Sequence, residues 1–334
     1  MNLHKLEKAA GDFDRHAKPP TIEPLTGSEP RPLWSVMIPV FNCAHLLEQS
    51  LKSVLAQDPG PERMHIEVID DCSTKDDPAK VVEEIGKGRV TFYRQPQNGG
   101  AINNFNTCIR RSKGKLVHIL HGDDWIEPGF YEEIERLHSV RPSASIYATR
   151  TFMTDEEGTI LEVTPLISQQ EADAQRETLF NVATPIQTAS VVIPRATYEQ
   201  IGGFMPDLVH TADVEMWWRT THHGGIGLSS KVLANYRIFA GNDTGRLAQQ
   251  AKNLEDIARL IVRLQERSPS FPAKYCWHML YLKSCEQEAK FAAVGQSEAA
   301  ARNRAFRQSI ETPALVAKRM VKSLSKGVSK KVLG

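Results

Sequence analysis

Between Trp34 and His121, short β-branched runs alternate with stretches whose apolar residues recur every three or four positions. The runs WSVMIPV (34–40), HIEVID (65–70), RVTFYRQ (89–95) and KLVHILH (115–121) have the length and composition of strands. Leu46, Leu47, Leu51, Val54 and Leu55 fall on one helical face between the first two, and further helical patterns separate the others. Strands alternating with helices predict a mostly parallel sheet covered on both faces, an α/β fold. After residue 145 the rhythm changes. ASIYATRTFM (144–153), ASVVIP (189–194) and KVLANYRIF (231–239) predict further strands. A polar stretch at 154–180 and a helix-like TADVEMWWRTTHHGG (211–225) lie between them, so this half completes the sheet and walls a cleft. From 247 to 300 the pattern is helical, with Leu254, Ile257, Ala258, Ile261, Val262 and Leu264 on one face and a second segment from Lys274 to Val294.

This pattern divides the chain into a proline-rich arm over 1–32, an α/β domain over 33–245, and a helical region over 246–334. The arm carries Pro19, Pro20, Pro24, Pro30 and Pro32 and reads as a surface or partly disordered segment. Within the domain the change of rhythm marks two halves, 33–128 and 129–245.

Composition narrows the class. A chain of 334 residues, 41% hydrophobic and 24% charged, is a globular protein of one large domain or two. The formal charge of +1 gives no global steering toward nucleic acid. Five cysteines without a CxxC argue against a disulfide framework or a zinc knuckle and fit a reducing cytoplasm. No apolar h-region opens the chain, and no run reaches the ~18 apolar residues of a spanning helix. From Ala317 to Gly334 there are six basic residues and no acid, with Val316, Met320, Leu324 and Val328 on the opposite helical side. Two readings stand: an amphipathic helix over 316–334 on an anionic membrane surface, peripheral on the inner face of the cell membrane, or a solvated basic tail. Nucleic acid is not an expected partner, because no aromatic residue is interleaved with these charges.

In such sheets ligands bind at the carboxyl ends of the strands. Pro39–Asn42, Asp70–Asp71, Asn98–Gly100 and Gly122–Asp124 all fall there. Two acid pairs on one rim repel unless something offsets them. A divalent cation bound to a diphosphate does so, and carboxylate oxygens with phosphates are the usual ligands of Mg²⁺ or Mn²⁺. The stretch HILHGDDWIEPGF (118–130) therefore reads as a metal–phosphate ledge.

The segments SVMIPVFN (35–42), EVIDDCS (67–73), NGGAINNFN (98–106), KGKLVHILHGDDWIEP (113–128), IGGF (201–204), ADVEMWWR (212–219) and LANYRIF (233–239) resemble, in this order, the motifs of family 2 glycosyltransferases. The resemblance covers about residues 33–243. It implies a GT-A, Rossmann-like fold with a helical C-terminal extension, a nucleotide-diphosphate sugar donor, Mn²⁺ or Mg²⁺, and inversion at the anomeric carbon.

It also implies roles for residues. Pro39, Phe41 and Asn42 match the loop beside the nucleoside, with Phe41 in the family's tyrosine position; Asn42 as a simple helix cap remains open. Asp71 matches the uracil-reading aspartate, leaving Asp70 structural. Asn98 and Asn106 match the third motif, Asn106 either touching base or ribose or facing solvent from a helix. His121 stands where the first acid of Asp-x-Asp would be and Asp123 on the second, so Asp123 is the metal ligand; His121 is a nitrogen ligand, a ribose contact or a packed histidine. Gly122 belongs to the donor ledge, and Asp124 holds backbone N–H groups. Asp213 matches the catalytic base, with an N-cap role as the alternative and Glu215 in reserve. Gly202 and Gly203 form a tight loop, near the donor sugar or as an ordinary turn. Trp217 and Trp218 are core or acceptor-facing, adjacency on a helix suggesting one of each, with burial favoured over a sugar stacked on an exposed indole. Arg237 matches the arginine that neutralises the leaving diphosphate. Phe239 replaces the family's histidine, which predicts a more phosphate-dependent metal site. His222 and His223 are left as surface residues in a loop.

The implied protein is a metal-dependent, hexosyltransferase-type enzyme, with a UDP-sugar donor favoured. Its acceptor is a sugar or lipid-linked sugar in cell-envelope polysaccharide or glycolipid synthesis. A non-catalytic nucleotide- or sugar-binding protein of the same fold is the rival. A dinucleotide-dependent oxidoreductase is poorly supported, since PVFNCAH stands where a GxGxxG turn is required.

Overall fold

Trp34–Val40 is buried along its whole length, as a central parallel strand covered on both faces is. In chain order the strands are β1 (Trp34–Val40), β2 (Met64–Asp70), β3 (Thr91–Arg94), β4 (Leu116–Ile119), β5 (Trp125–Ile126), β6 (Ile146–Thr154), β7 (Ile160–Val163), β8 (Val191–Pro194) and β9 (Ile226–Arg237). The computed structural model describes residues 6–27, 30–175, 184–239 and 243–316. These strands join in one sheet of order β3-β2-β1-β4-β8-β6-β9-β5, with β7 paired to β6. The β3-β2-β1-β4 part is parallel throughout. Beyond it β8 runs antiparallel to β4 and β6, and β9 returns parallel to β6. The fold class expected from the sequence is thus observed, and its reversal after β4 is what lets β9 reach back to pair with β5, directly after the acid pair.

The helices around the sheet are α1 (Ala44–Leu55), α2 (Pro78–Gly86), α3 (Ala101–Arg111), α4 (Phe130–Val140), α5 (Gln169–Ala174), α6 (Arg195–Ile201) and α7 (Ala212–Gly224). In α1, Leu47, Leu51 and Val54 bury into the core that Trp34, Val36, Ile38, Met64, Ile66 and Val68 build from β1 and β2. Spacing by four and three puts them on one face. The stretch 154–180, polar in sequence, contributes β7 and α5. His222 and His223 close α7 rather than lying in a loop. His222 Nδ1 lies 2.7 Å from the Trp218 carbonyl, the i−4 spacing a helix creates.

The chain forms two compact units, and their boundary differs from the one read in sequence. The larger comprises Lys18–Pro206 and Ala212–Phe239; the smaller takes the residues through Ala17, Asp207–Thr211, and the chain from Ala240. Residues 6–17 are therefore part of the helical unit and not of a separate arm. The reason is apolar: Leu6 and Ala10 are fully buried, and Arg259 Nε donates to the Ala10 carbonyl at 2.9 Å. The helices of this unit are α8 (Asp243–Gln249), α9 (Lys252–Arg267), α10 (Ala273–Ala293) and α11 (Ser297–Ile310). All six apolar residues expected on one face of the first long helix are buried. The basic segment 317–334 lies outside the described residues. Among the described residues no helix is long and apolar enough to cross a membrane.

Candidate donor and transfer site

Three loops meet at the end of β1 through its carbonyls. Leu120 N–H donates to Met37, Gly122 N–H to Pro39 (3.1 Å) and Asp71 N–H to Val40 (2.9 Å). Pro39 is buried within β1, so it offers the site its carbonyl and not its ring. Phe41, just beyond the strand, is 46% exposed, and a large exposed ring at a strand end is a stacking surface. Asn42 takes a left-handed φ of +53°, a conformation asparagine tolerates. Its N–H donates to Ser73 Oγ, and its Oδ1 accepts from the Thr74 and Lys75 N–H groups at 2.9 Å each. It does not cap α1, whose first N–H, that of Ala44, donates to Asp76 Oδ2 at 2.8 Å.

The first acid pair is fully engaged by the protein. Asp70 Oδ1 accepts from Ser73 N–H and Oγ, and Oδ2 from Arg94 Nε at 2.6 Å. Asp71 Oδ1 accepts from Gly99 N–H and Oδ2 from Gly100 N–H, both at 2.8 Å, with Gln95 Nε2 at 3.2 Å. This places a carboxylate on the N-terminus of α3, where the helix dipole favours negative charge. Burial raises the Asp71 pKa, and the two glycine N–H groups oppose that rise. Gly100 has φ +83°, open to glycine and strained for other residues. Asn98 is exposed and donates from Nδ2 to the Asp71 carbonyl.

Asn106 departs from both sequence readings. It is buried, Nδ2 donating to the Phe204 carbonyl (2.9 Å) and Oδ1 accepting the Phe204 N–H (2.8 Å). It faces away from solvent and clamps α3 to the glycine loop. The glycines are dictated by that closeness: a Cβ on Gly203 would sit 2.3 Å from Asn106 Oδ1.

At the second acid pair, ligand atoms of His121, Asp123 and Asp124 all lie within 4.8 Å of one another. A Cβ on Gly122 would meet Val40 Cγ1 at 2.6 Å, so the turn packs against β1 only as glycine. Asp124 is buried; Oδ1 accepts the Arg237 N–H at 3.0 Å, while Oδ2 accepts no hydrogen bond and faces His121 Nδ1 at 3.6 Å. Burial, then the charge of Asp123, pushes the Asp124 carboxyl well above the usual carboxylate range. A buried carboxylate oxygen lacking a donor, beside a second carboxylate and an imidazole, fits a hard divalent cation. His121 stacks on Phe105, 4.9 Å between centroids and 12° between planes.

Arg237 is placed differently from the sequence expectation. Its guanidinium is buried, donating to the Asp123 and Glu156 carbonyls and to Gln49 Oε1, with Trp125 stacked at 4.7 Å. Every guanidinium nitrogen has a protein partner, so Arg237 orients the ledge.

Asp213 is the second residue of α7 and half-buried, its Oδ1 accepting the Val214 N–H at 2.7 Å. Glu215, the reserve candidate, is fully buried and holds Arg219 at 2.8 Å. Arg219 in turn donates to the carbonyls of Ile201, Gly202 and Gly203. This clamp was not singled out from sequence, although an i,i+4 Glu–Arg pair on a helix was its signal. Trp217 and Trp218 are both buried, which removes an exposed indole from the acceptor side. Aromatic contacts run from His121 through Phe105 and Phe204 (5.6 Å) to Trp217 (6.1 Å), so packed rings join the ledge to the helix of Asp213.

Comparison with known proteins gives concordant matches. The profile described as glycosyl transferase family 2 matches residues 35–196. A Bacillus subtilis protein named as a glycosyltransferase of teichuronic acid biosynthesis is 26% identical over 238 residues, covering 70% of this chain and 90% of the relative. Among solved structures, the Pyrobaculum calidifontis mannosyltransferase in complex with GDP-mannose and Mn²⁺ aligns with a TM-score of 0.55 at 15% identity, over 99% of this chain and 87% of that one. Staphylococcus aureus TarS 1–349 in complex with UDP-N-acetylglucosamine aligns with a TM-score of 0.51 at 16% identity, over 83% of this chain and 90% of that one.

Proposed function

The chain belongs to glycosyltransferase family 2 and has the GT-A fold, and on that premise we propose that it transfers a hexose, with inversion, from a UDP-sugar to a hydroxyl of a cell-envelope polysaccharide or glycolipid acceptor. The observation that carries the reading is the ledge: a glycine forced by close packing, flanked by His121 and two carboxylates, one with a buried oxygen that no protein group satisfies.

Asp123, His121 and Asp124 would hold the divalent cation, which when bound offsets the charge of the donor diphosphate and of the leaving nucleotide. Phe41 offers its exposed ring to the nucleoside, and Asn98, exposed beside the Asp71 loop, is available to it as well. Asp71 shapes that loop through Gly99 and Gly100, so its part in reading a uracil is through backbone placement. Asp213 accepts the acceptor's hydroxyl proton as that oxygen attacks the anomeric carbon from the face opposite the departing diphosphate. Arg237 and Arg219 hold the ledge and the glycine loop in place. The named relative of teichuronic acid biosynthesis supports an envelope acceptor. The basic sequence 317–334 supports a lipid-linked one at a membrane surface.

The test is thermal unfolding of the protein with UDP, GDP, ADP or CDP, each with and without Mn²⁺. A ligand that binds only the folded state raises its midpoint. The expected result is a Mn²⁺-dependent rise with UDP, absent in Asp123→Ala. A rise with no nucleotide overturns the donor site. Binding with full sugar transfer or hydrolysis in Asp213→Asn overturns the assigned base.

A further inference from the structure

Asp256 lies in the second turn of α9, the first long helix of the helical unit, and is buried. Its carboxylate gathers four donors from one short segment. Oδ1 accepts the Val209 N–H at 3.1 Å; Oδ2 accepts the N–H groups of His210 and Thr211 at 2.8 Å and Thr211 Oγ1 at 2.9 Å. Three successive backbone N–H groups converging on a buried carboxylate form a rigid anion nest. Seven residues on, on the same helical face, the fully buried Arg263 pairs with Asp207 at 2.6 and 3.2 Å and donates to the Asp14 carbonyl. One helix face thus grips both ends of Asp207–Thr211.

That segment is singular in the chain's organisation. It is a five-residue piece assigned to the helical unit, while the residues before and after it belong to the α/β unit. Thr211, held through both its N–H and its hydroxyl, immediately precedes α7. Asp213 follows two residues later, and two residues of chain span at most ~7 Å. The helix that carries the base therefore starts from a point fixed by Asp256.

We propose that Asp256 is a positioning residue for sugar transfer, setting the start of the helix from which Asp213 acts. The inference rests on Asp213 being the base. Displacing a base by about 1 Å costs on the order of 10²-fold in rate even where binding is intact.

The experiment is a double-mutant cycle of Asp256→Asn with Asp213→Asn. It reads Mn²⁺-dependent hydrolysis of the UDP- or GDP-sugar whose base the unfolding panel selects. Asp256→Asn replaces an acceptor by an N–H donor at constant size. The expected result is a kcat lower by about tenfold or more with the donor KM within about twofold. In the Asp213→Asn background the same change has no further effect. Unchanged kcat in Asp256→Asn beside a crippled Asp213→Asn overturns the positioning role alone. Losses that multiply show general damage and overturn it too. Full activity in Asp213→Asn overturns the base assignment and this inference with it. If Asp256→Asn does not fold, Thr211→Val removes one of the four bonds and is read in the same cycle, with the same split of kcat from KM expected.

Discussion

Asp70–Asp71 and Asp123–Asp124 are the same dipeptide at the carboxyl ends of β2 and β4, the two strands that flank β1, yet their surroundings are opposite. Each oxygen of Asp70 and Asp71 accepts a hydrogen bond from the protein, from Ser73, Arg94, Gly99, Gly100 and Gln95. At the second pair, the buried Asp124 Oδ2 accepts none, and Asp123 adds its own charge beside it. A carboxylate supplied with donors is architecture. One short of donors costs free energy until a cation arrives. The lesson is that the partner inventory, not the dipeptide, separates a carboxylate that holds a loop from one left short of donors.

The largest effect should come from removing Asp123, the half-buried member of the second pair. Asp123→Ala is expected to abolish the Mn²⁺-dependent rise in unfolding temperature with nucleotide and to lower turnover by about 10²-fold or more. Its fold should survive, since the Asp123 backbone carbonyl, which accepts from Arg237 Nε, is kept in the variant. The matching change in the first pair, Asp70→Asn, should do the reverse. Arg94 and Ser73 lose a charged acceptor, stability in urea falls by about 2 kcal/mol, and the Mn²⁺ response persists. A lost Mn²⁺ response in Asp70→Asn, or a retained one in Asp123→Ala, breaks the contrast.

A third buried acid tests the rule away from the site. Glu133 accepts from Arg136 at 2.6 Å, from Ser229 at 2.7 Å and from Lys231 at 2.8 Å. The Arg136 bond first, then Lys231 and Ser229, hold its carboxyl down from an ordinary 4.5 to about 2. A depressed acid contributes stability that is complete above its unfolded pKa and is lost as pH falls through its folded one. Wild type should therefore exceed Glu133→Gln by about 1–2 kcal/mol at neutral pH, the exposed ends of Arg136 and Lys231 limiting the gain. That margin should vanish between about pH 5 and pH 2 in urea titrations. A margin that does not narrow over this range would mean that Glu133 contributes through packing alone.

These contrasts also mark what was legible in the sequence. Strand-end residues could be placed because the alternation of strands and helices puts every such loop on one rim; Phe41, Asp71 and the His121–Asp124 run do follow β1, β2 and β4. Asn106 and Arg237 could be located but not interpreted. Their partners lie 98 and 114 positions away, across the reversal after β4, and no local pattern encodes them. Trp217 and Trp218 misled because adjacency on a helix argues for opposite faces, while tertiary packing here covers both. The first 17 residues read as part of an arm through the prolines that follow, whereas Leu6 and Ala10, four apart, were the signal of a buried helical face.

The smallest change is the most discriminating, because its sign is opposite to the others. Asp124→Asn keeps an oxygen to accept the Arg237 N–H but removes a buried charge that burial and Asp123 both disfavour. The wild-type carboxyl is held well above its usual range despite the nearby Arg237, so in the metal-free protein the neutral form is the better fit. The amide resembles that form in size and polarity. Metal-free Asp124→Asn should thus be more stable than wild type by about 1 kcal/mol in urea at neutral pH. Added Mn²⁺ with nucleotide should stabilise wild type and leave the variant behind, so the order of stabilities inverts. If the metal-free variant is instead less stable, the protein alone satisfies Asp124. The two acid pairs would then be alike, and Asp123 with His121 would have to hold the cation without it.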